Sequence, residues 1–151
     1  ICVLFLDTPF FSENASIYFP DRKLNFTRIY EPKNRSAHMA PMDKTCIVIE
    51  CPYDSGDQLS SMRNDEFYEM IINDLVNENL IKKDQIIDYD IFDMNNAYPI
   101  LDLSMKEKKK KILSYLHTFE NMYLIGRNAE FQYLHTHDII AKGRKLIESF
   151  I

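Results

Sequence analysis

Asn121-Met-Tyr-Leu-Ile-Gly-Arg-Asn-Ala-Glu-Phe-Gln-Tyr-Leu-His-Thr-His-Asp-Ile-Ile-Ala-Lys-Gly143 reads as a short apolar strand, a single glycine turn and a helix that begins at a polar cap. Met122 to Ile125 are consecutive apolar side chains that end at Gly126, the residue type that lets a backbone bend sharply and approach a ligand closely. Thr136, His137 and Asp138 then open an apolar helical segment. Amides in the first turn of a helix lack partners within it and sit at the positive end of its dipole, so they attract a phosphate or an oxygen-rich chain. On these residues alone the stretch is either a cradle for an anion or cofactor or an ordinary strand–loop–helix connection.

Upstream, Ser104-x-x-Glu107 has the spacing of a capping box. It predicts a helix running through Phe119, with Ile112, Tyr115, Leu116 and Phe119 as its buried stripe. Lys106 and Lys108 to Lys111 fall outside that stripe. In a net acidic chain they read as a solvated face, the sharper alternative being a patch for anionic lipid or nucleotide-sugar phosphate. Asn95-Asn96 followed by Tyr98-Pro99 predicts extended or turning backbone, because the residue before proline is pushed out of the helical region. Between Asn64 and Asn79, Phe67, Met70, Ile71, Leu75 and Val76 recur at helical spacing opposite Glu69, Asn73, Asp74 and Asn77, an amphipathic helix laid on a sheet.

The sheet comes from the β-prone runs. Residues 1–6, 16–19, 26–31, Thr45 to Cys51 and Ile86 to Phe92 are rich in branched and aromatic side chains. Pro9, Pro20, Pro32 and Pro41 punctuate the gaps, and Lys33 to Asp43 reads as a loop. An antiparallel meander is the natural arrangement. The predicted class is α+β, a mainly antiparallel sheet with packed amphipathic helices. No repeat, low-complexity tract or internal linker is visible, and a single domain is the simplest count.

Composition narrows function by exclusion. With 46% hydrophobic and 27% charged residues the chain suits a globular piece, and its net charge of −5 argues against a nucleic-acid binder. No run has the length of a membrane span, and Ile1 to Leu6 lacks the basic flank of a secretion signal, so a cytoplasmic location is the default. Cys2, Cys46 and Cys51 form no Cys-x-x-Cys pair and read as free, structural thiols. His38 and His117 stand apart, and His135 and His137 could share one side of an extended segment, yet no third metal ligand follows at a recognisable spacing. A glycosidase-like pair from Asp88 with Asp90 or Asp93 needs a fixed separation that spacing cannot establish. Neither a Gly-x-Ser-x-Gly elbow nor a P-loop is present.

Gly126-Arg127-Asn128, Phe131, Tyr133 and the helix start after them resemble the C-terminal FAD-binding segment of the flavoprotein superfamily that holds UDP-galactopyranose mutase and the amine-oxidase or protoporphyrinogen-oxidase-like oxidoreductases. Ile17-Tyr-Phe-Pro20, Phe26-Thr-Arg-Ile-Tyr-Glu-Pro-Lys-Asn34, Cys46-Ile-Val-Ile-Glu-Cys51 and Ala97-Tyr-Pro-Ile-Leu-Asp102 look like landmarks of the amine-oxidase-like branch linked to surface-polysaccharide synthesis. The order of these segments is that of the family over nearly the whole chain. The only glycines are Gly56, Gly126 and Gly143, so there is no Gly-x-Gly-x-x-Gly turn to hold a dinucleotide. The resemblance therefore implies a partial FAD/NAD(P)-binding flavoprotein fold lacking its N-terminal Rossmann unit. The expectation is that residues 1–151 are one fragment of a longer enzyme. Residues 1 to about 95 would be substrate-domain-like, and residues from about 96 a returning segment that completes the FAD-binding domain.

By the same resemblance, Gly126, Arg127, Thr136, His137, Asp138 and Ile139 are candidate cofactor-binding residues, with FAD held in the full-length parent rather than by this chain alone. Arg28, Tyr98 and Tyr133 are candidate substrate-binding residues. In the mutases the arginine matching Arg127 sits beside flavin and substrate, and the tyrosine matching Tyr133 faces the substrate diphosphate. Ala129, Gln132 and His135-Thr136-His137 depart from the family pattern, so backbone amides rather than side chains carry the expectation at the helix start. Arg28 also has a purely structural reading, as a cross-strand partner of Glu31 or Glu50. The implied partners are the missing N-terminal FAD-binding region and a small-molecule substrate, a nucleotide sugar or an amine, with no nucleic acid. Two functions follow: part of a flavin-dependent oxidoreductase or mutase-like enzyme, or a non-catalytic ligand-binding or interaction domain of flavoprotein-like shape.

Overall fold

A computed structural model of the chain describes residues 1–95 and 97–150. It divides into two units, Ile1–Met94 and Asn95–Ile151. Asn96 lies outside the described residues, so the turn expected there is described only at Tyr98 and Pro99, which belong to no helix or strand.

The first unit is a five-stranded antiparallel sheet with one helix. Its strands are β1 (Cys2–Leu6), β2 (Ser16–Tyr18), β3 (Arg28–Tyr30), β4 (Thr45–Glu50) and β5 (Ile86–Ile91), in the order β2-β3-β4-β1-β5. The simple meander holds only for β2, β3 and β4. β1 is instead inserted between β4 and β5, with Cys2 opposite Ile49 on one side and Ile91 on the other. The reason lies in its side chains: Cys2, Leu4 and Leu6 are all buried, and a strand so apolar on one face is best placed inside the sheet, flanked on both sides.

Helix α1 (Asn64–Asn77) covers that face. Phe67, Ile71, Ile72 and Leu75 join Cys2, Leu4, Leu6, Ile29, Ile47 and Ile49 in one core. Ile72 is buried where Val76 was expected, so the contact stripe is rotated slightly and Val76 sits on the rim. At its start the Arg63 N–H donates to Glu66 Oε2 at 3.3 Å. At its end Asn79 takes φ +55°, with N–H bonds from Leu80 to Leu75 O and from Asn79 to Val76 O, a Schellman ending that uses asparagine in place of the usual glycine. Asp74 ties the helix to the β2–β3 connection by accepting both the backbone N–H and the side-chain amide of Asn25, at 3.0 and 2.8 Å.

The second unit contains α2 (Met105–Leu116) and α3 (Thr136–Glu148). None of its described residues is fully buried. Three expectations are corrected here. The Ser104 hydroxyl donates to Asp102 Oδ1 at 2.8 Å, and the same oxygen accepts the Met105 N–H at 2.7 Å, so Asp102 caps α2 and the Ser104–Glu107 box does not form. The half-buried residues of α2 are Met105, Lys109, Leu113 and Leu116, while Ile112, Tyr115 and Phe119 stay exposed. Met122 to Ile125 is not a strand. An apolar run becomes one only where a neighbour completes its ladder of hydrogen bonds, and no strand pairs with it among the described residues.

Candidate functional site

The Gly126 turn is real and demanding. Gly126 has φ +103°, and a Cβ built there meets nothing within 4 Å, so glycine is required by backbone conformation and not by crowding. Its carbonyl accepts the Glu130 N–H at 2.9 Å, Arg127 O accepts Gln132 N–H at 3.1 Å, and Phe131 closes the loop at φ +46°. The Gly126 N–H points to Glu130 Oε1 at 3.4 Å, long enough to be a weak bond. The other Glu130 oxygen pairs with the Lys142 ammonium from α3. Glu130 therefore locks the turn to the helix, a role absent from the sequence reading, where its position four residues after the glycine was the available signal.

Arg127 lies between two tyrosines. Its guanidinium carbon is 4.1 Å from the Tyr133 ring centroid and 5.3 Å from that of Tyr98. The face of each ring attracts the cation. Its Nη2 is buried and has no hydrogen-bond partner among the described residues. Such a group costs about 1–3 kcal/mol unless something accepts from it. From Tyr133 the aromatic row continues edge-on to His135 at 5.8 Å, then to His137, whose ring stacks parallel to His135 at 5.5 Å. Arg127, Tyr98 and Tyr133 are thus brought together, along with two histidines.

Thr136, His137, Asp138 and Ile139 form the first turn of α3 as expected. The Ile139 N–H bonds to His135 O at 3.2 Å, the Asp138 N–H faces the His135 side chain in a capping box, and no backbone acceptor among the described residues meets the N–H groups of Thr136 and His137. Those amides are open to a ligand oxygen. The Asp138 carboxylate accepts the His135 N–H at 3.1 Å and so places a negative charge at the same helix end. That charge opposes a phosphate and leaves a neutral hydroxyl-rich chain as the better match.

Arg28 belongs to the first unit and lies on the sheet face opposite α1. It pairs in register with Tyr18 on β2 and Glu50 on β4. One nitrogen bonds Glu50, another bonds the Tyr18 hydroxyl at 3.3 Å, and the guanidinium sits over the Tyr18 and Tyr30 rings at 5.7 and 5.4 Å. The Glu50 bond, with Tyr18 second, pushes its pKa further above the ordinary arginine range. Its Nε is buried without a partner among the described residues. Glu50, not Glu31, is the cross-strand partner.

Glu31 and Lys33 do something else that the sequence did not disclose. Glu31 is 1% exposed and accepts the N–H groups of Phe11 and Ser12, the Asn34 amide and the Thr45 hydroxyl, at 2.6 to 3.1 Å. The Lys33 ammonium donates to the carbonyls of Pro9, Pro41, Met42 and Lys44 at 2.7 to 3.0 Å. Together they gather the loops after β1 and before β4 without help from an apolar core. Among the described residues no cluster of three or more metal-ligating side chains occurs, and no helix is long and apolar enough to cross a membrane. Cys2, Cys46 and Cys51 are free.

The five-stranded sheet with its covering helix, and the glycine turn before a last helix, define a fold of the α+β class that matches part of a solved enzyme. In particular, the chain is similar to the crystal structure of reduced UDP-galactopyranose mutase, with a TM-score of 0.72 at 16% sequence identity over 87% of this chain. It spans 28% of that protein's length. No protein-family model and no curated protein matches the sequence.

Proposed function

We propose that this chain is the substrate-covering and cofactor-wall portion of a flavin-dependent oxidoreductase or mutase-like enzyme, acting on a nucleotide sugar or an amine, in the context of surface-polysaccharide synthesis. The observation that carries this reading is the Arg127 guanidinium, held over the Tyr98 and Tyr133 rings with Nη2 buried and unpartnered directly after the Gly126 bend. The likeness in fold to the reduced mutase supports it. A flavin bound here would supply the electron chemistry. The chain's own residues would position it: Arg127 Nη2 would donate to an acceptor on flavin or substrate diphosphate, the amides of Thr136 and His137 would donate to hydroxyl oxygens of the ribityl chain beside Asp138, and Ile139 would pack at the same helix start. Tyr133 and Tyr98 would flank the substrate in the second unit, and Arg28 is a separate candidate for substrate contact on the sheet of the first.

The test is spectroscopic. The full-length protein carrying this chain should be yellow, with flavin absorption bands. Replacing Arg127 with Ala should weaken flavin or substrate affinity about tenfold to a hundredfold, the loss of one charge-assisted hydrogen bond. A colourless full-length protein that also fails to take up added FAD would reject this reading in favour of a non-catalytic binding or interaction domain.

A further inference from the structure

Helix α2 carries lysine at 106, 108, 109, 110 and 111. Residues 95–151 hold nine Lys and Arg against six Asp and Glu, a net +3 within a chain of net −5. Net positive charge thus belongs to the second unit alone, and five of its nine basic residues lie on one helix. Lys108, Lys111, Ile112 and Tyr115 follow one another at helical spacing on the outward side, all exposed, and Phe119 packs edge-on against Tyr115 at 5.5 Å just beyond the helix. The segment leading into α2 is as unusual: Leu103 is 93% and Ile100 78% exposed. Asp102 between them is turned onto Ser104 and the Met105 N–H, which fixes that segment to the helix start. The same helix has a shallow groove lined by Lys106, Lys109, Lys110, Leu113, Ser114 and His117.

We propose that this face of α2, with Ile100 to Leu103, docks the protein reversibly on the surface of an anionic lipid bilayer. Such a surface satisfies both halves of the pattern. Headgroup phosphates take the lysines, and the acyl boundary takes Leu103, Ile100, Ile112 and Tyr115, whose exposure in water is otherwise unfavourable. A nucleic acid would use the lysines and leave those apolar side chains wet. Glu107, Glu120 and Asp102, the last inside the docking segment itself, are the acidic groups exposed alongside, and they reduce the local excess of five lysines without cancelling it. None of the residues assigned to flavin or substrate lies on α2, which touches the Gly126 loop through Lys109 Nζ donating to Phe131 O at 3.3 Å.

The experiment is vesicle sedimentation of the full chain. It should pellet with vesicles of phosphatidylcholine containing about a third phosphatidylglycerol, not with phosphatidylcholine alone, and less as salt is raised. The double variant K108E/K111E should lower partitioning at least about tenfold, since each lysine near an anionic surface contributes a several-fold factor. I100S/L103S should lower it as well with charge unchanged, while K82E in the first unit should leave it intact. All five positions are exposed, and circular dichroism verifies that each variant folds. The proposal is overturned by equal binding to neutral vesicles, by no binding to anionic ones, or by indifference to either double variant. Tighter, lysine-dependent binding to duplex DNA or RNA than to vesicles overturns it in favour of a nucleic-acid surface.

Discussion

Arg28 and Glu50 stand directly opposite one another across β3 and β4, and their ion pair lies on the sheet face that α1 does not cover. Their side chains are 26% and 23% exposed, so the pair is neither a screened surface contact nor a fully dry one. Removing one partner from it, as in E50A, should cost about 1–3 kcal/mol, because it strands a partly desolvated guanidinium whose Nε already lacks an acceptor. The double variant R28M/E50L should recover most of that loss. Urea unfolding of R28M, E50L and their double variant measures the coupling, and additive losses would show that the pair does not interact.

Lys33 is a second position where charge holds structure. Its four carbonyl acceptors belong to two separate loops, and K33M would leave them without a donor in a nearly buried site. The expected loss is about 3 kcal/mol, of the size seen when a buried charge network is broken. A denaturation midpoint within the error of the parent's would mean that water replaces the ammonium at no cost.

Two glycines should respond to alanine with opposite signs. At Gly126 the added methyl meets open space but the backbone is at φ +103°, so G126A is destabilising by about 1–3 kcal/mol through strain alone. At Gly143, inside α3, the methyl would rest at 3.9 Å from Ile125 Cδ1, an ordinary contact, and G143A should stabilise by about 0.5–1 kcal/mol. Thermal unfolding followed by circular dichroism distinguishes the two, and a gain at both sites would refute the strain argument.

Burial pushes the Cys2 thiol up to about 11 and the Cys51 thiol up to about 12. Unfolded thiols ionise near pH 8.5, so between roughly pH 8.5 and 12 the unfolded chain has lost protons that the folded one retains. The stability these thiols contribute is complete below that window and declines as pH rises through it. C2A/C51A should be less stable at neutral pH because of the lost packing, yet its stability should fall less steeply from pH 8.5 to 10.5. Parallel slopes in the two proteins would exclude the thiols as the cause.

The first unit was largely legible in the sequence and the second only in part, for a physical reason visible at particular residues. Periodicity placed α1 because Phe67, Ile71 and Leu75 meet a sheet that covers them. The same logic applied to Ile112, Tyr115 and Phe119 located α2 but misjudged its covered side, since a repeat reveals amphipathy and not what lies against it. Met122 to Ile125 failed as a strand because ladder partners are a tertiary property. At the candidate site, Gly126 and the start of α3 were readable as backbone events. The seating of Arg127 between Tyr98 and Tyr133 joins side chains from distant segments, and the buried Glu31 and Lys33 look in sequence like any surface charges.

The interior position of β1 bears on how the chain is made. Cys2 finds its first neighbour only when Ile49 has been synthesised and its second only with Ile91, so β1 stays unsealed on at least one flank until a long stretch of chain beyond it has been made. Through that interval Cys-Val-Leu-Phe-Leu is a bare, sticky ribbon, a natural target for a holding chaperone and the place where truncated or slowly translated copies would begin to clump.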